Sequence, residues 1–387
     1  MNGVVPATLA QLAMSRRVLI VVGAGGVGKT TTAAALGLAA AVRGRRALCL
    51  TIDPARRLAE ALGLERMSSE EQVVAPARLA RGGVPLSGSL TAMMLDTKRT
   101  FDQLVEKHSS TPEHARRLLN NRLYQYVSTS LAGTQEYMAM EKLVAVMRED
   151  RFDLIVLDTP PTANALDFLD APERLIDALD SAATRWFIQA FESTGKLSLN
   201  LLARSAAFVL RALGRITGGG FLEAMAEFLT ELNDLFGGFK QRARSVEGAL
   251  RSAEVAFVLV TSPAPMSLQE VLYFSDRLQR ANMDRGAFVV NRLHLPPAGA
   301  DASLTEEEAA KAMAARGLRL DADGPSRLVR AHTDARRLAA LDLVHLRTLH
   351  EVAKGKMPLV RIPEFAGSVQ DLDALRSLAD LLMRGGV

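Results

Sequence analysis

The residues over positions 23–31 read Gly-Ala-Gly-Gly-Val-Gly-Lys-Thr-Thr, the spacing of a phosphate-binding loop. Glycines let the backbone turn with its N–H groups facing inward, where phosphate oxygens can accept from them. Lys29 would neutralise the β- and γ-phosphate oxygens, and Thr30 would ligate Mg²⁺. An ordinary glycine-rich turn would need the Lys-Thr pair to occur there by accident. The predicted nucleotide-binding residues of the loop are Gly23, Ala24, Gly25, Gly26, Val27, Gly28, Lys29, Thr30 and Thr31.

The elements that must position this loop are short apolar runs. Six of them alternate with helical patterns, over residues 18–22, 47–53, 153–158, 255–261, 287–291 and 358–362. Apolar strands separated by helices predict an α/β fold with a doubly wound, mostly parallel sheet. Ligands of such sheets bind beyond the carboxyl ends of the strands, which is where the loop, Asp53, Asp158 and Asn291 all fall.

Two aspartates follow predicted strands and have the chemistry that phosphoanhydride hydrolysis requires. Asp158 ends the third run, from which a carboxylate can reach Mg²⁺ through water. Asp53 ends the second run, where it could orient or deprotonate the attacking water. Thr159, directly after Asp158, would sense the γ-phosphate. Taken alone, either aspartate could instead be a helix N-cap.

Composition limits the function classes. The chain has 387 residues, a net charge of +4 and one cysteine, Cys49, which we expect to be a buried structural thiol. Disulfides and paired-cysteine metal sites are thereby excluded. No aromatic-basic block indicates nucleic acid binding. No apolar run reaches eighteen residues, so we expect a cytoplasmic protein without a signal peptide or an integral membrane segment.

A stripe of large apolar residues lies between the third and fourth runs. Its members recur at the spacing of one helix face and are Phe221, Met225, Phe228, Leu232 and Leu235. Such a stripe is most often core. The surplus of Phe and Leu and the flanking glycines leave open a hydrophobic groove for a client helix.

Three motifs resemble those of the ArsA family of ATPases, which contains arsenite-pump ATPases and ATPases that guide tail-anchored membrane proteins. They are the loop, the run Thr51–Leu58 and the run Asp158–Leu169. The second switch of the family, DTAPTGHT, is matched by Asp-Thr-Pro-Pro-Thr-Ala-Asn-Ala. Its first switch, DPAHSL, is matched by Asp-Pro-Ala-Arg-Arg-Leu. The matching switch residues are Pro54, Arg56, Arg57, Thr159, Pro160 and Thr162.

The resemblance implies a dimeric, Mg²⁺-dependent ATPase that closes around ATP and reopens after hydrolysis. Lys29 and Asp53 would be catalytic. Thr30 would bind the metal directly, and Asp158 and Asp53 through water. Asn291 would read the adenine, with Arg292 and Pro363 also at the nucleotide.

The resemblance also implies a domain organisation. A single phosphate-loop ATPase domain would cover residues 14–387 after an N-terminal extension over 1–13. Helical insertions over 97–147 and 170–250 would form a subdomain that binds a hydrophobic client. A further charged helical segment would cover 298–356.

One departure from the family concerns the interface between subunits. The family loop carries a second lysine that reaches the partner's phosphates, and Ala24 stands at that position. Arg56 or Arg57 could substitute, turnover could be slow, or the partner could be a related subunit that keeps the lysine. Actinobacterial members with a similar loop resemble one half of such a pair.

These observations favour an ATP-driven chaperone or targeting factor for hydrophobic protein segments, with transient contact to membrane proteins. The first alternative is the energising subunit of an oxyanion or metalloid pump, against which the missing cysteines argue. A second is a slowly hydrolysing subunit of a heterodimer. A third is a cargo-positioning ATPase of the ParA or MinD kind, whose switch also depends on the lysine absent at position 24.

Overall fold

A computed structural model describes most of the chain. The described residues are 8–52, 57–64, 67–74, 86–122, 124–125, 128, 134–159, 241–297, 303–318, 321, 323–365, 367, 369 and 371–387. Several predictions fall outside these ranges: the apolar stripe over 221–235, Asp53, Pro54, Arg56, Pro160 and Thr162.

Within the described residues, one eight-stranded sheet organises the molecule, in the order β3-β4-β2-β5-β1-β6-β7-β8. Its strands are β1 (Val18–Gly23), β2 (Arg46–Thr51), β3 (Gln72–Val73), β4 (Ser89–Met94), β5 (Leu154–Asp158), β6 (Val255–Thr261), β7 (Arg285–Leu293) and β8 (Leu359–Pro363). All neighbours are parallel except β3, which runs antiparallel to β4. The strand that leads into the phosphate loop therefore lies inside the sheet, between β5 and β6.

The six predicted strands are confirmed, with shifted ends. The second run was predicted to reach Asp53, whereas β2 ends at Thr51 because both neighbours end there, at Met94 of β4 and Asp158 of β5. Strands β3 and β4 were not predicted. The sequence of β4, Ser-Leu-Thr-Ala-Met-Met, mixes polar residues with helix formers, and only its position beside β2 makes it a strand.

Helices cover both faces of the sheet. Their bounds are α1 (Leu9–Ser15), α2 (Lys29–Val42), α3 (Arg57–Ala61), α4 (Thr97–His108), α5 (Pro112–Asn120), α6 (Thr134–Arg148), α7 (Pro265–Arg280), α8 (Glu306–Ala315), α9 (Gly324–His345), α10 (Arg347–Ala353) and α11 (Leu372–Arg384). Residues 241–250 are also helical.

Alternate side chains of β1 enter two separate cores. Ile20 packs with apolar residues of α4, α6 and α7 on one face. Val21 packs with α1, α2 and α11 on the other. Because successive side chains of a strand point to opposite faces, a strand covered on both sides must be apolar throughout, as β1 is. The predicted doubly wound α/β class is confirmed.

Helix α2 lies very close to β2 at one point. A Cβ atom at Gly37 would lie 2.3 Å from the Sγ atom of Cys49, so glycine is required for this approach. The thiol is buried, as predicted, and burial raises its pKa to about 12.

Two of the helices that precede β8, α8 and α9, are mostly exposed. Thr305 caps α8 in a reciprocal arrangement with Glu308. Helix α8 packs against the 22-residue helix α9. Among the helices that the structure describes, none is both long and apolar enough to span a membrane.

Candidate nucleotide site

The phosphate loop connects β1 to α2 as the sequence predicted. Gly28 is the N-cap of α2 and has a φ of +98°, a left-handed conformation that glycine adopts without strain. Of the side chains that the structure describes, none caps the first turn of α2. The N-terminus of α2 lines the cavity described below, and the positive end of the helix dipole favours an anion there.

Lys29 is buried although it carries a charge. Its Nζ atom donates to the backbone carbonyl of Ala24 across 2.9 Å, which bends the side chain back over the loop. The ammonium group is thereby kept inside the curve where phosphates would lie. The side chain of Ala24 is itself buried, so the position of the family's second lysine contributes only a methyl group.

Asn291 contacts the loop from β7. Its Nδ2 atom donates to the carbonyl of Val27 across 2.8 Å, and a Cβ atom at Gly28 would lie 2.3 Å from the same nitrogen. The ladder between β7 and β8 is irregular here, and Arg292 has a left-handed φ of 60°. A local bulge therefore turns Asn291 towards the loop and leaves Arg292 exposed at the cavity.

The proposed metal side of the site lies next to the loop, at the end of β5. Asp158 is 1% exposed, and the hydroxyl of Thr51 donates to its Oδ2 atom across 3.0 Å. Thr159 is anchored to the carbonyl of Val21 by its backbone N–H at 3.3 Å and its Oγ1 at 2.8 Å. A carboxylate and the following threonine are thus held against the strand that leads into the loop.

A cavity of about 660 Å³ opens at this end of the sheet. Its size suits a nucleotide. It brings together nine residues that the sequence assigned to nucleotide or switch, namely Gly26, Gly28, Lys29, Thr30, Thr31, Arg57, Thr159, Asn291 and Arg292. Pro363 ends β8 and precedes a residue of the cavity wall, Glu364.

Sequence reasoning missed several residues of the cavity wall. Glu60, Glu364 and Phe365 line it, and Thr51 supports Asp158 from outside it. The signal that could have found Glu364 and Phe365 is topological, because they directly follow the last strand and hence lie at its carboxyl end.

The described oxygen donors fit Mg²⁺. Mg²⁺ is typically held by one or two carboxylates together with phosphate oxygens and water, and the Thr30 hydroxyl and Asp158 carboxylate supply that kind of donor. In the described part of the chain, no cluster of three or more His, Cys, Asp or Glu side chains offers an all-protein metal site. This donor set suits a metal that enters with its nucleotide.

Comparison with known proteins relates this chain to a family of ATPases. Residues 16–314 match the family described as "Anion-transporting ATPase". A similar protein is the ATPase get3 of Aspergillus terreus, 28% identical over 287 residues, which cover 74% of this chain and 75% of that protein. The ATPase get3 of Botryotinia fuckeliana is 27% identical over 288 residues, covering 74% and 75%. That of Pyrenophora tritici-repentis is 25% identical over 283 residues, covering 72% and 74%.

Proposed function

Because the chain belongs to the anion-transporting ATPase family and is an ATP hydrolase, we propose that it couples ATP-driven closure of two subunits to the capture and release of a hydrophobic protein segment. One observation carries the nucleotide part of the proposal. The loop, Thr159 and Asn291 come from three distant parts of the sequence and line a single cavity of nucleotide size.

Residues around the loop are assigned the chemistry that a subunit performs on its own bound nucleotide. Loop N–H groups and Lys29 hold the β- and γ-phosphates, and Thr30 and Asp158 hold Mg²⁺, which neutralises phosphate charge when it is bound. Asp53 positions the attacking water by the family resemblance. Thr159 is hydrogen-bonded to Val21 of β1. Loss of the γ-phosphate would be sensed at Thr159 and in the switch residues that follow it.

The positive charge that would act on the partner's nucleotide, in place of the family's second lysine, is assigned to Arg57. Ala24 provides no cation, whereas Arg57 is exposed and lines the cavity at the start of α3. An exposed guanidinium beside the phosphates can approach either its own nucleotide or that of a partner.

The client part of the proposal is supported by sequence. The apolar stripe over 221–235 has the periodicity of a helix face, and the family resemblance includes ATPases that guide tail-anchored membrane proteins. The get3 ATPases similar to this chain support the ATPase part of the proposal.

The test uses the purified full-length chain with a labelled apolar helical peptide and a scrambled polar peptide as control. Peptide binding is measured by fluorescence anisotropy with Mg²⁺ and ATP, with Mg²⁺ and ADP, and without nucleotide. The variant Asp53→Asn is expected to retain ATP and to remain in the ATP-bound state. Apolar peptide should bind in one nucleotide state. Equal binding in all states, or ATPase activity stimulated by arsenite instead, would overturn the client proposal.

A second candidate is a slowly hydrolysing subunit of a heterodimer, which the buried methyl group at Ala24 specifically favours. Native mass spectrometry of the complex from its source organism, with and without ATP, separates the two. A mass of twice 41.7 kDa supports the homodimer, and a different partner mass supports the heterodimer.

A further inference from the structure

Three charged or titratable side chains form a chain of contacts beside the proposed nucleotide site. The Nδ1 atom of His294 lies 2.8 Å from Oδ2 of Asp342, and the backbone N–H of His294 donates to the same oxygen across 2.9 Å. The Nε2 atom of His294 lies 3.2 Å from Oε2 of Glu364. His294 follows β7, Asp342 belongs to α9, and Glu364 follows β8.

The position of Glu364 follows from the sheet order. The phosphates must lie at the loop after β1, and the γ-phosphate end faces Thr159 after β5, on one side of β1. The nucleoside must therefore extend to the other side, across β6 towards β7 and β8. Glu364 and Phe365 line the cavity at that far end, and the backbone N–H of Glu364 donates to the Leu293 carbonyl across 3.0 Å.

The side chains of Phe365 and Glu364 indicate which of the two would contact the base and which the sugar. The half-buried ring of Phe365 offers a face on which a purine can stack. The carboxylate of Glu364, one residue nearer the strand, then falls beside the sugar. An ionised carboxylate accepts hydrogen bonds only, and the vicinal hydroxyls of ribose are two adjacent donors that match it.

We infer that Glu364 selects the ribose of the bound nucleotide and that His294 and Asp342 are positioning residues for it. This inference rests on the proposed nucleotide site and adds the part of the nucleotide that the sequence left unassigned. The Glu364 side chain is 53% exposed, so solvent alone would leave it free to turn away from the cavity.

The positioning role follows from burial. The Asp342 side chain is 10% exposed and takes two contacts from His294 on one oxygen, so the imidazole ring has a fixed orientation. The opposite ring nitrogen then meets Glu364 at a set place. A mobile surface carboxylate is thereby turned into an oriented acceptor at the cavity rim.

The experiment compares ATP, 2′-deoxyATP and GTP binding to the full-length protein by titration calorimetry with Mg²⁺. The wild type should bind ATP roughly tenfold to a hundredfold more tightly than 2′-deoxyATP, the usual value of a hydrogen bond to a charged group. Glu364→Ala should bring that ratio close to one without changing the preference for ATP over GTP. The matched control is Glu351→Gln in α10, at an exposed position, which should leave the ratio unchanged.

Two substitutions at His294 separate positioning from folding. Glutamine places its amide nitrogen near the former Nε2 atom and keeps the backbone contact with Asp342 but loses the one from Nδ1, so His294→Gln should retain part of the ribose discrimination. Asparagine places it near Nδ1, so His294→Asn should keep the contact with Asp342 and lose discrimination. His350→Asn, at an exposed position of α10, is the control.

Each outcome decides the inference. Discrimination lost in Glu364→Ala and in His294→Asn supports it. Equal binding of ATP and 2′-deoxyATP by the wild type overturns it while leaving the nucleotide site intact, as does a Glu364→Ala effect confined to GTP. Failure of the wild type to bind ATP overturns the proposed function itself. Should the His294 variants fail to fold, Glu364→Ala still decides, because that side chain is exposed.

Discussion

The side-chain amide of Asn291 donates to the backbone carbonyl of Val27 across 2.8 Å, although 264 residues separate them in the sequence. This bond joins the bulged end of β7 to the phosphate loop. The loop's shape is therefore supported from β7 as well as by its own glycines.

Gly28→Ala should abolish tight ATP binding. Alanine would be strained at a φ of +98°, and its Cβ atom would lie 2.3 Å from Nδ2 of Asn291. The matched control is Gly317→Ala, which has a φ of +66° but no neighbour within 4 Å of the added atom. Both variants should lose about 1 kcal/mol of stability from backbone strain. Calorimetric ATP titration should separate them, and equal ATP affinity would contradict the prediction.

Lys29→Ala should lower kcat for ATP hydrolysis by roughly 10²- to 10³-fold, the usual cost of removing one preorganised donor to the transition state. The reason is that Nζ is buried and held over the loop by the Ala24 carbonyl. Phosphate release is the measurement. Lys354→Ala, at an exposed lysine after α10, should retain full activity. Comparable rates in the two variants would show that Lys29 is structural.

Thr51→Val should weaken the response to Mg²⁺ without removing the metal ligand. The substitution keeps the shape of the side chain but deletes the hydroxyl that donates to Asp158 Oδ2. We expect the Mg²⁺ concentration for half-maximal activity to rise by roughly tenfold, the lower range for loss of a supporting contact. Asp158→Asn should raise it further. An unchanged Mg²⁺ requirement in Asp158→Asn would place the metal elsewhere.

Cys49 should make the free energy of unfolding depend on alkaline pH. Burial first, and the charge of Asp158 second, raise the pKa of the thiol from 9.0 to about 12. Between those values the native state binds the thiol proton more firmly than the unfolded chain, so stability is full below pH 9 and falls as the pH rises towards 12. Denaturant unfolding at pH 7.5 and 10.5 should show a smaller loss in Cys49→Ala than in the wild type. Parallel losses would contradict it.

Arg57→Ala should lower kcat by at least roughly tenfold if its guanidinium supplies the charge that Ala24 does not. ATP affinity should change much less, because the loop and Lys29 hold the phosphates. The control is Arg347→Ala, at the exposed start of α10. Steady-state kinetics with separate binding measurements tests this, and equal kcat in both variants would remove Arg57 from the mechanism.

Five strands inside the sheet, β1, β2, β5, β6 and β7, were predictable because their buried residues form nearly continuous apolar runs. Strand β1 is covered on both faces and is apolar at every position before Gly23. So short and continuous an apolar run is typical of a buried strand of a parallel sheet. Strand β4 escaped because Ser89 and Thr91 interrupt its apolar pattern. Strand β3 has only two residues, and its pairing with β4 comes from tertiary contact.

The candidate site was predictable where the residues that act together lie close to one another in the sequence. The loop carries its own signature, and Asp158 follows a clear strand. The contact between His294 and Asp342 has no such signature. The two residues lie 48 positions apart in the sequence, His294 after β7 and Asp342 within α9. A bulge such as the one at Arg292 also leaves no periodic trace, since a single irregular residue changes the direction of a strand.

The close approach of Gly37 to Cys49 has a practical consequence for measuring motion. The chain carries one cysteine, and that thiol is shielded from maleimide reagents by α2. A cysteine introduced at an exposed position such as Ala340 of α9 would then be the one site that a fluorescent dye reaches in the folded protein. Energy transfer between dyes on the two subunits of the proposed dimer would then test whether they approach each other during turnover.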